Sequence, residues 1–506
     1  MPIFPDYDSF AAAYEKGEAQ IVSTRLVADL ETPVSAMLKL TRSAKYSFLL
    51  ESVEGGAVRG RYSIIGMNPD MIWKVAGSEA SINRKALHNP DGPFEPARLA
   101  PLESLRALLA ESRITLGSDA PPMAAGVFGY IGYDMVRLME DLPEPNPDTL
   151  GLPDGMMIRP TVMAIFDSVR DEVTVTSPVY FEKGVSTKAA YARAQERISE
   201  VVDALDRPLD HLSSQDIETP PIMAAASNTT PQEYAGMIAR AKDYITAGDI
   251  FQVVLSQRFE ADFALPPFAL YRSLRRVNPS PFLYYLDFDR FAVIGSSPEI
   301  LVRVRDGKVS IRPIAGTRKR GDTPSEDRAL AAELLADPKE RAEHLMLLDL
   351  GRNDVGRVAE IGSIRVTDQF IIENYSHVMH IVSNVEGTLS KKCDVIDALC
   401  AGFPAGTVSG APKVRAMEII DELEKHKRGV YGGCVGYFSA DGEMDTCIVL
   451  RTAIVKDGKM YVQAGAGIVA DSVPENEHQE CVNKAKALFR AADEAVRFAG
   501  RAGRAQ

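Results

Sequence analysis

Two pairs of acids stand out by type and spacing: Glu340 with Glu343, and Glu477 with Glu480. Each pair follows a written helix start. Asp337 can cap, Pro338 suits the first helical position and Glu340 falls where a capping box closes; Ser472-Val-Pro-Glu475 repeats the pattern. Three residues apart on a helix, both acids of a pair share one face. Ala342, Leu345, Met346, Leu347 and Leu348 make the first helix apolar over most of its circumference, so burial is expected. A buried carboxylate needs a cation, a metal or a proton. Oxygen-only ligands suit Mg²⁺, which takes one or two carboxylates and keeps places for water and substrate oxygens. The plainer alternatives are that Glu340 only caps, that Glu343 pairs with Arg341 or a distant arginine, and that Glu480 pairs with Lys484. An i,i+4 pair of that kind contributes about 0.3 kcal/mol on a surface.

Other stretches could hold an anion or move a proton. Gln463-Ala-Gly-Ala-Gly-Ile-Val follows an expected strand, and its small residues open backbone N–H groups to a carboxylate. Phe403-Pro-Ala-Gly-Thr-Val-Ser-Gly-Ala-Pro-Lys413 is a second small-residue loop that opens on a helix, with Thr407 as a donor or the whole as a packing loop. His377 and His380, three apart on an expected strand, point to opposite faces, which excludes a two-histidine metal site and leaves one proton carrier facing a pocket. Gly432-Gly-Cys-Val-Gly436 has the outline of a nucleophile elbow, but Cys434 runs into an apolar strand instead of a helix, so it is discounted. Asp349 to Arg357 offers nothing firmer than shaping a turn beneath the acids.

These residues need elements to position them. At 506 residues the chain exceeds one ordinary core. Residues 1–206 form a first unit with strands at Tyr46–Val53, Gly60–Gly66, Pro69–Val75, Val127–Tyr133, Val162–Phe166 and Val173–Val179. They are joined by a Gly55-Gly56 turn and closed by a helix at Lys188–Leu205. Residues 207–230 read as a polar linker that ends on a helix start at Thr230-Pro231. Residues 231–498 form a second unit, with strands at Phe251–Phe259, Phe282–Phe288, Ala292–Ile294, Val435–Phe438, Cys447–Val455 and Met460–Ala464. Its expected helices include Ser325–Leu335, Pro338–Leu350, Val395–Cys400, Pro412–His426 and Pro474–Phe498. Strand often follows strand directly, which predicts an α+β fold of antiparallel sheets with helices outside. The 45% hydrophobic and 25% charged content is that of a globular protein, and the net charge of −13 argues against nucleic acid or an acidic membrane as a partner. Neither a signal peptide nor a bilayer-spanning run is expected. Five scattered cysteines point to a reducing cytoplasm.

Pro313-Ile-Ala-Gly-Thr-Arg, Ala342-Glu-His-Leu-Met-Leu-Leu-Asp-Leu-Gly-Arg-Asn-Asp, His377-Val-Met-His, Phe403-Pro-Ala-Gly-Thr-Val-Ser-Gly-Ala-Pro-Lys and Gln463-Ala-Gly-Ala-Gly-Ile-Val together resemble the chorismate-utilising enzymes, and within them the anthranilate synthase large subunits. Leu49-Leu-Glu-Ser52 and Asn278-Pro-Ser-Pro281 extend the likeness to nearly the whole chain. The resemblance implies the family's two antiparallel sheets packed as a sandwich with helices outside, and a regulatory N-terminal unit. It implies Glu343 and Glu480 as Mg²⁺ ligands, with Glu340 and Glu477 acting through water. Gly316, Thr317, Thr407, Tyr431, Arg451, Gly465, Ala466, Gly467 and Lys484 match positions that contact chorismate. Glu299 matches the acid that protonates a departing C4 hydroxyl as ammonia adds at C2. His380 matches the histidine that assists loss of pyruvate. Both could instead only position substrate.

Two positions separate sister activities. Ala315 stands where aminodeoxychorismate synthases carry a nucleophilic lysine, and Gln252 where isochorismate and salicylate synthases carry the lysine that activates water. Both point to ammonia as the nucleophile. The chain shows no glutaminase, so the resemblance implies a glutamine amidotransferase small subunit (component II). It also implies inhibition by L-tryptophan through Ser52, Pro281, Phe282 and Leu283, although many relatives have Tyr-Met where this chain has Phe282-Leu283. The rivals are an aminodeoxychorismate synthase large subunit and an inactive chorismate- or tryptophan-binding regulator.

Overall fold

Helix starts written in the sequence hold the chain in register. Thr230 and Glu233 close a reciprocal capping box at the head of Pro231–Ala247, and Thr323 and Glu326 do the same for Pro324–Ala336. Asp337 accepts from the N–H groups of Lys339 and Glu340 and starts Pro338–Gly356. Glu340 adds nothing to that cap, because its carboxylate takes Arg318 at 3.0 Å. At the C-terminal helix Pro474–Ala499 the expected Ser472–Glu475 box gives way to a turn, in which the Ser472 hydroxyl accepts from Val469 N–H at 3.0 Å. These features belong to a computed structural model that describes residues 2–42, 44–54, 58–117, 120–121, 123–209, 225–375 and 378–499. The Gly55-Gly56 turn, His377, most of the expected linker and the C-terminal end lie outside the described residues.

Among the described residues the strands join into one 22-stranded hydrogen-bonded network, and every named ladder in it is antiparallel. Ser47–Glu54 lies between Val58–Ala76 and Phe282–Asp287, and Gly126–Ile131 pairs with Cys434–Ser439. Strands from residues 1–206 thus pair directly with strands from residues 231–498. The buried clusters cross the same line: one packs Leu49, Ile65 and Val162 against Leu255, Ile294 and Ala466. Ion pairs cross it too, including Arg275–Glu51 at 2.9 Å and Arg137–Asp421 at 2.7 Å. No helix of the described residues is long and apolar enough to cross a membrane.

Four elements differ from the sequence-based expectation, each for a local reason. Gly60–Gly66 and Pro69–Val75 are one strand, Val58–Ala76, because Asn68 takes a φ of 53° and the register shift at Pro69/Met71 absorbs the proline without ending the ladder. Cys447–Val455 is two strands, Met444–Ile448 and Thr452–Lys456, broken where Arg451 adopts a φ of 50°. Lys459–Ile468 runs straight through the small residues instead of ending before them. The acidic helix continues to Gly356, and burial falls only on the face of His344, Leu347, Leu348, Gly351, Asp354 and Val355. Leu345 is 53% exposed, so this helix lies on the sheet with one side in water.

Candidate active site

The Gln252–Asp262 and Lys459–Ile468 strands form the floor of a cavity of about 400 Å³. Its walls come from the Ile314–Lys319 and Val378–Thr388 strands, the first turns of Pro338–Gly356 and Pro474–Ala499, and the Thr407 loop. Val462, Gln463, Ala464, Gly465 and Gly467 of the floor strand line the cavity, while Ala466, predicted there, is fully buried in the core behind the sheet. The Gln463–Ile468 segment is a ladder strand and not a free loop of donors. A Cβ at Gly467 would sit 2.4 Å from Gln252 Nε2, so any larger residue there would push the Gln252 amide aside.

All four predicted acids reach this cavity. Glu343 is raised above the ordinary carboxylate range, first by burial and then by the negative charges of Glu340 and Glu480. Gln252 Nε2 donates to its Oε1 at 3.3 Å, and the amide oxygen Gln252 Oε1 is buried without a partner. Glu477 is likewise raised by burial, against a hydrogen bond from Ser472. Glu480 stands at the mouth, its side chain 47% exposed, paired with Lys484 at 2.6 Å. Lys484 also donates to Gly465 O at 2.9 Å. Carboxylates that repel one another, beside an orphaned amide oxygen, fit a hard divalent cation. Among the described residues no three His, Cys, Asp or Glu side chains stand together as a ready-made metal cage.

Across the cavity, Glu299 is 6% exposed and accepts from the Thr407 hydroxyl at 3.2 Å. Burial pushes its carboxyl up to about 8, with Thr407, the Ile314 backbone and Arg451 pulling the other way. It therefore carries its proton at neutral pH. His380 is pulled below its ordinary value by burial, against the hydrogen bond to Gly316. Its Nδ1 lies 3.1 Å from Gly316 O and 3.0 Å from Thr317 Oγ1. A carbonyl only accepts, so Nδ1 carries the hydrogen and Nε2 keeps a free lone pair. Gly316 holds a φ of +77°. Arg451 and Tyr431 complete the wall, and the strand break at Arg451 is what turns its guanidinium inward.

A buried polar scaffold supports this floor. Gln463 Nε2 donates to Ser256 Oγ at 2.8 Å, and that hydroxyl donates to Glu424 at 2.8 Å. Arg428 pairs with Glu424 at 2.6 Å and donates to Val254 O and Val408 O. Asp354 holds Lys413 at 2.9 Å, which ties the far end of the acidic helix to the end of the Thr407 loop. Sequence reasoning missed Lys339, Gln463, Pro298 and Ile314 as lining residues. Period-two alternation through Gly465 would have found Gln463, and the place of Lys339 beside Glu340 was a signal for the lysine.

The four residues expected to hold an inhibitor line a second, larger cavity of about 790 Å³. Leu50, Ile64, Tyr284 and Tyr437 give it apolar and aromatic walls, with Glu51, Glu373, Arg303 and Arg312 among its charges. Pro298 and Ile314 face both cavities. Cys434 is buried at the head of the Cys434–Ser439 strand, and burial pushes its thiol up to about 12, which removes the nucleophile-elbow alternative.

Comparison with known proteins gives the context. A family model described as chorismate binding enzyme matches residues 58–490. Anthranilate synthase component 1 of Cereibacter sphaeroides is 60% identical over 498 residues, covering 98% of this chain and 99% of the relative. The protein of that name from Pseudomonas aeruginosa is 46% identical, over 93% of this chain and 94% of its own length. The crystal structure of anthranilate synthase component I from Streptococcus pneumoniae superposes with a TM-score of 0.75 at 37% identity, over 92% of this chain and 99% of that one. The menaquinone-specific isochorismate synthase MenF of Escherichia coli, at 20% identity and a TM-score of 0.69, shares the fold.

Proposed function

The chain belongs to the chorismate binding enzymes, on the anthranilate synthase component 1 branch of that family, and we propose that it converts chorismate and ammonia to anthranilate and pyruvate in the cavity described above. The observation that carries this is the convergence of Glu299, His380, Arg451 and Lys484 with four carboxylates in one pocket of about 400 Å³. A magnesium ion held by Glu343 and Glu480, with Glu340 and Glu477 behind them through water, would fix and neutralise a substrate carboxylate. Arg451 and Lys484 supply the cations for the rest of a dianion. Glu299, protonated at neutral pH, can give its proton to the departing C4 hydroxyl as ammonia adds at C2. His380, with its Nε2 lone pair free, can take the proton released as pyruvate leaves. Ala315 and Gln252 put no lysine at the two positions where sister enzymes carry one, which leaves ammonia as the nucleophile.

Ammonia comes from a partner. All five cysteines are free and each thiol is raised by burial above its ordinary value, so none is the thiolate a glutaminase needs. A glutamine amidotransferase small subunit is the fitting source. Five free thiols also suit the cytoplasm. The larger cavity takes L-tryptophan as inhibitor: its aromatic walls suit an indole, and its mixed acids and arginines suit an ammonium and a carboxylate.

The test is a fluorescence assay of the purified chain with chorismate, Mg²⁺ and ammonium, with and without EDTA. Anthranilate should form only where the metal is free. Folded protein that makes none, or makes aminodeoxychorismate, overturns the reading, and binding without turnover identifies a regulator.

A further inference from the structure

Tyr375 stands between the two cavities. Its ring, 8% exposed, meets the His380 imidazole edge to face, with centroids 5.3 Å apart and planes at 66°. Its hydroxyl donates to Glu373 Oε2 at 3.0 Å, and the other oxygen of that carboxylate takes Arg312. Glu373 is the cross-strand partner of His380 in the ladder of Arg365–Asn374 with Val378–Thr388. Arg312, Glu373 and Tyr375 line the larger cavity, whereas His380 lines the smaller one. Among the described residues, the hydrogen-bond partners of the imidazole, Gly316 O and Thr317 Oγ1, both fall on Nδ1. Tethered at one nitrogen, the ring can still tilt about that point, and its tilt decides where Nε2 points. An aromatic ring packed edge-to-face with it restrains that motion.

We propose that Tyr375 is the positioning residue for His380, and that Arg312, Glu373 and Tyr375 transmit to it what occupies the larger cavity. The proposal rests on the role given to His380 above. A ligand whose ammonium takes Glu373 competes with the Tyr375 hydroxyl for that carboxylate, and one whose carboxylate takes Arg312 unpins it; either loosens the ring behind His380. An amino acid with a large apolar body offers both groups, which gives tryptophan a physical route to the catalytic histidine.

Two variants of the full chain separate the parts. Tyr375→Phe keeps the ring and loses the tether; Tyr375→Leu loses the ring. With Mg²⁺, chorismate and ammonium, Tyr375→Leu should lower kcat about 100-fold with chorismate KM nearly unchanged, since a displaced catalytic group costs turnover more than binding. Tyr375→Phe, which lacks from the start the tether that the ligand is argued to remove, should have a kcat lowered toward that of the tryptophan-inhibited wild type, still bind L-tryptophan by calorimetry, and respond little further to it. A second readout needs no turnover. In protein carrying ¹³C-labelled histidine, the His380 ring signal, assigned by its loss in His380→Asn, should shift in Tyr375→Leu, and should shift in one common direction in Tyr375→Phe and in wild-type protein saturated with L-tryptophan. If the wild-type chain makes no anthranilate, the functional reading fails and this signal alone decides the positioning. An unmoved His380 signal with wild-type kcat in Tyr375→Leu overturns the proposal. So does full tryptophan inhibition of Tyr375→Phe.

Discussion

Glu299 shows how one buried carboxyl ties chemistry to pH. Held at about 8 by burial, it should give kcat/KM an alkaline limb with a midpoint near that value when free ammonia is kept constant. Glu299→Gln should lower kcat about 100-fold and abolish that limb. An alkaline limb that persists in the variant assigns it elsewhere. The same shift bears on stability. The native state binds this proton more tightly than the unfolded chain does, so the contribution is fully present below pH 4.5 and is lost as pH rises through about 8. At the acids, Glu343→Gln and Glu480→Gln should each abolish Mg²⁺-dependent turnover with little change in melting temperature. Calorimetric titration with Mg²⁺ should show binding lost with the activity; full activity in both variants removes these residues as ligands. The acids were legible because type and spacing alone name them. Glu299 and Arg451 became legible only through resemblance to a family, which also chose His380 over His377 as the proton carrier. Tyr375 was legible by neither route, since its meaning lies in a contact across strands.

At the scale of elements, the sequence carried helix starts well and strand ends poorly. Capping is local, so Thr230, Thr323 and Asp337 announce their helices. A strand ends where its neighbour ends, and no local signal reports that. Lys459–Ile468 continues through Gly465 and Gly467 because the Gln252–Asp262 strand continues beside it. The misjudged burial of the acidic helix has a similar cause: apolar residues such as Leu345 do not say which side meets the sheet. The Glu424–Arg428 pair beneath the floor yields a stability prediction. With side chains 4% and 1% exposed, the pair sits where an unpartnered charge is costly. Arg428→Met should destabilise the chain by about 3–5 kcal/mol in urea unfolding, and adding Glu424→Gln should recover part of the loss. A double variant less stable than the single one would show that Glu424 supports Ser256 and Gln463 on its own.

Over the whole molecule, the shared sheet makes the two sequence units one cooperative object. The chain has one tryptophan, Trp73, fully buried in the first unit with its indole N–H on Ser104 Oγ at 2.8 Å. Its fluorescence reports that unit, whereas anthranilate formation reports the second. Both signals should fall at the same urea concentration, because Ser47–Glu54 and Gly126–Ile131 lose their partners when the second unit opens. Activity lost well before fluorescence would separate the units. The wall of Pro298 and Ile314 has one more consequence, and it is a matter of thermodynamic symmetry. If a ligand on one side of that wall weakens binding on the other by some factor, the second ligand must weaken the first by the same factor. Saturating the protein with chorismate, in the absence of ammonia, should therefore change the dissociation constant of tryptophan by the same ratio that tryptophan imposes on that of chorismate, a ratio near one where tryptophan acts on turnover alone.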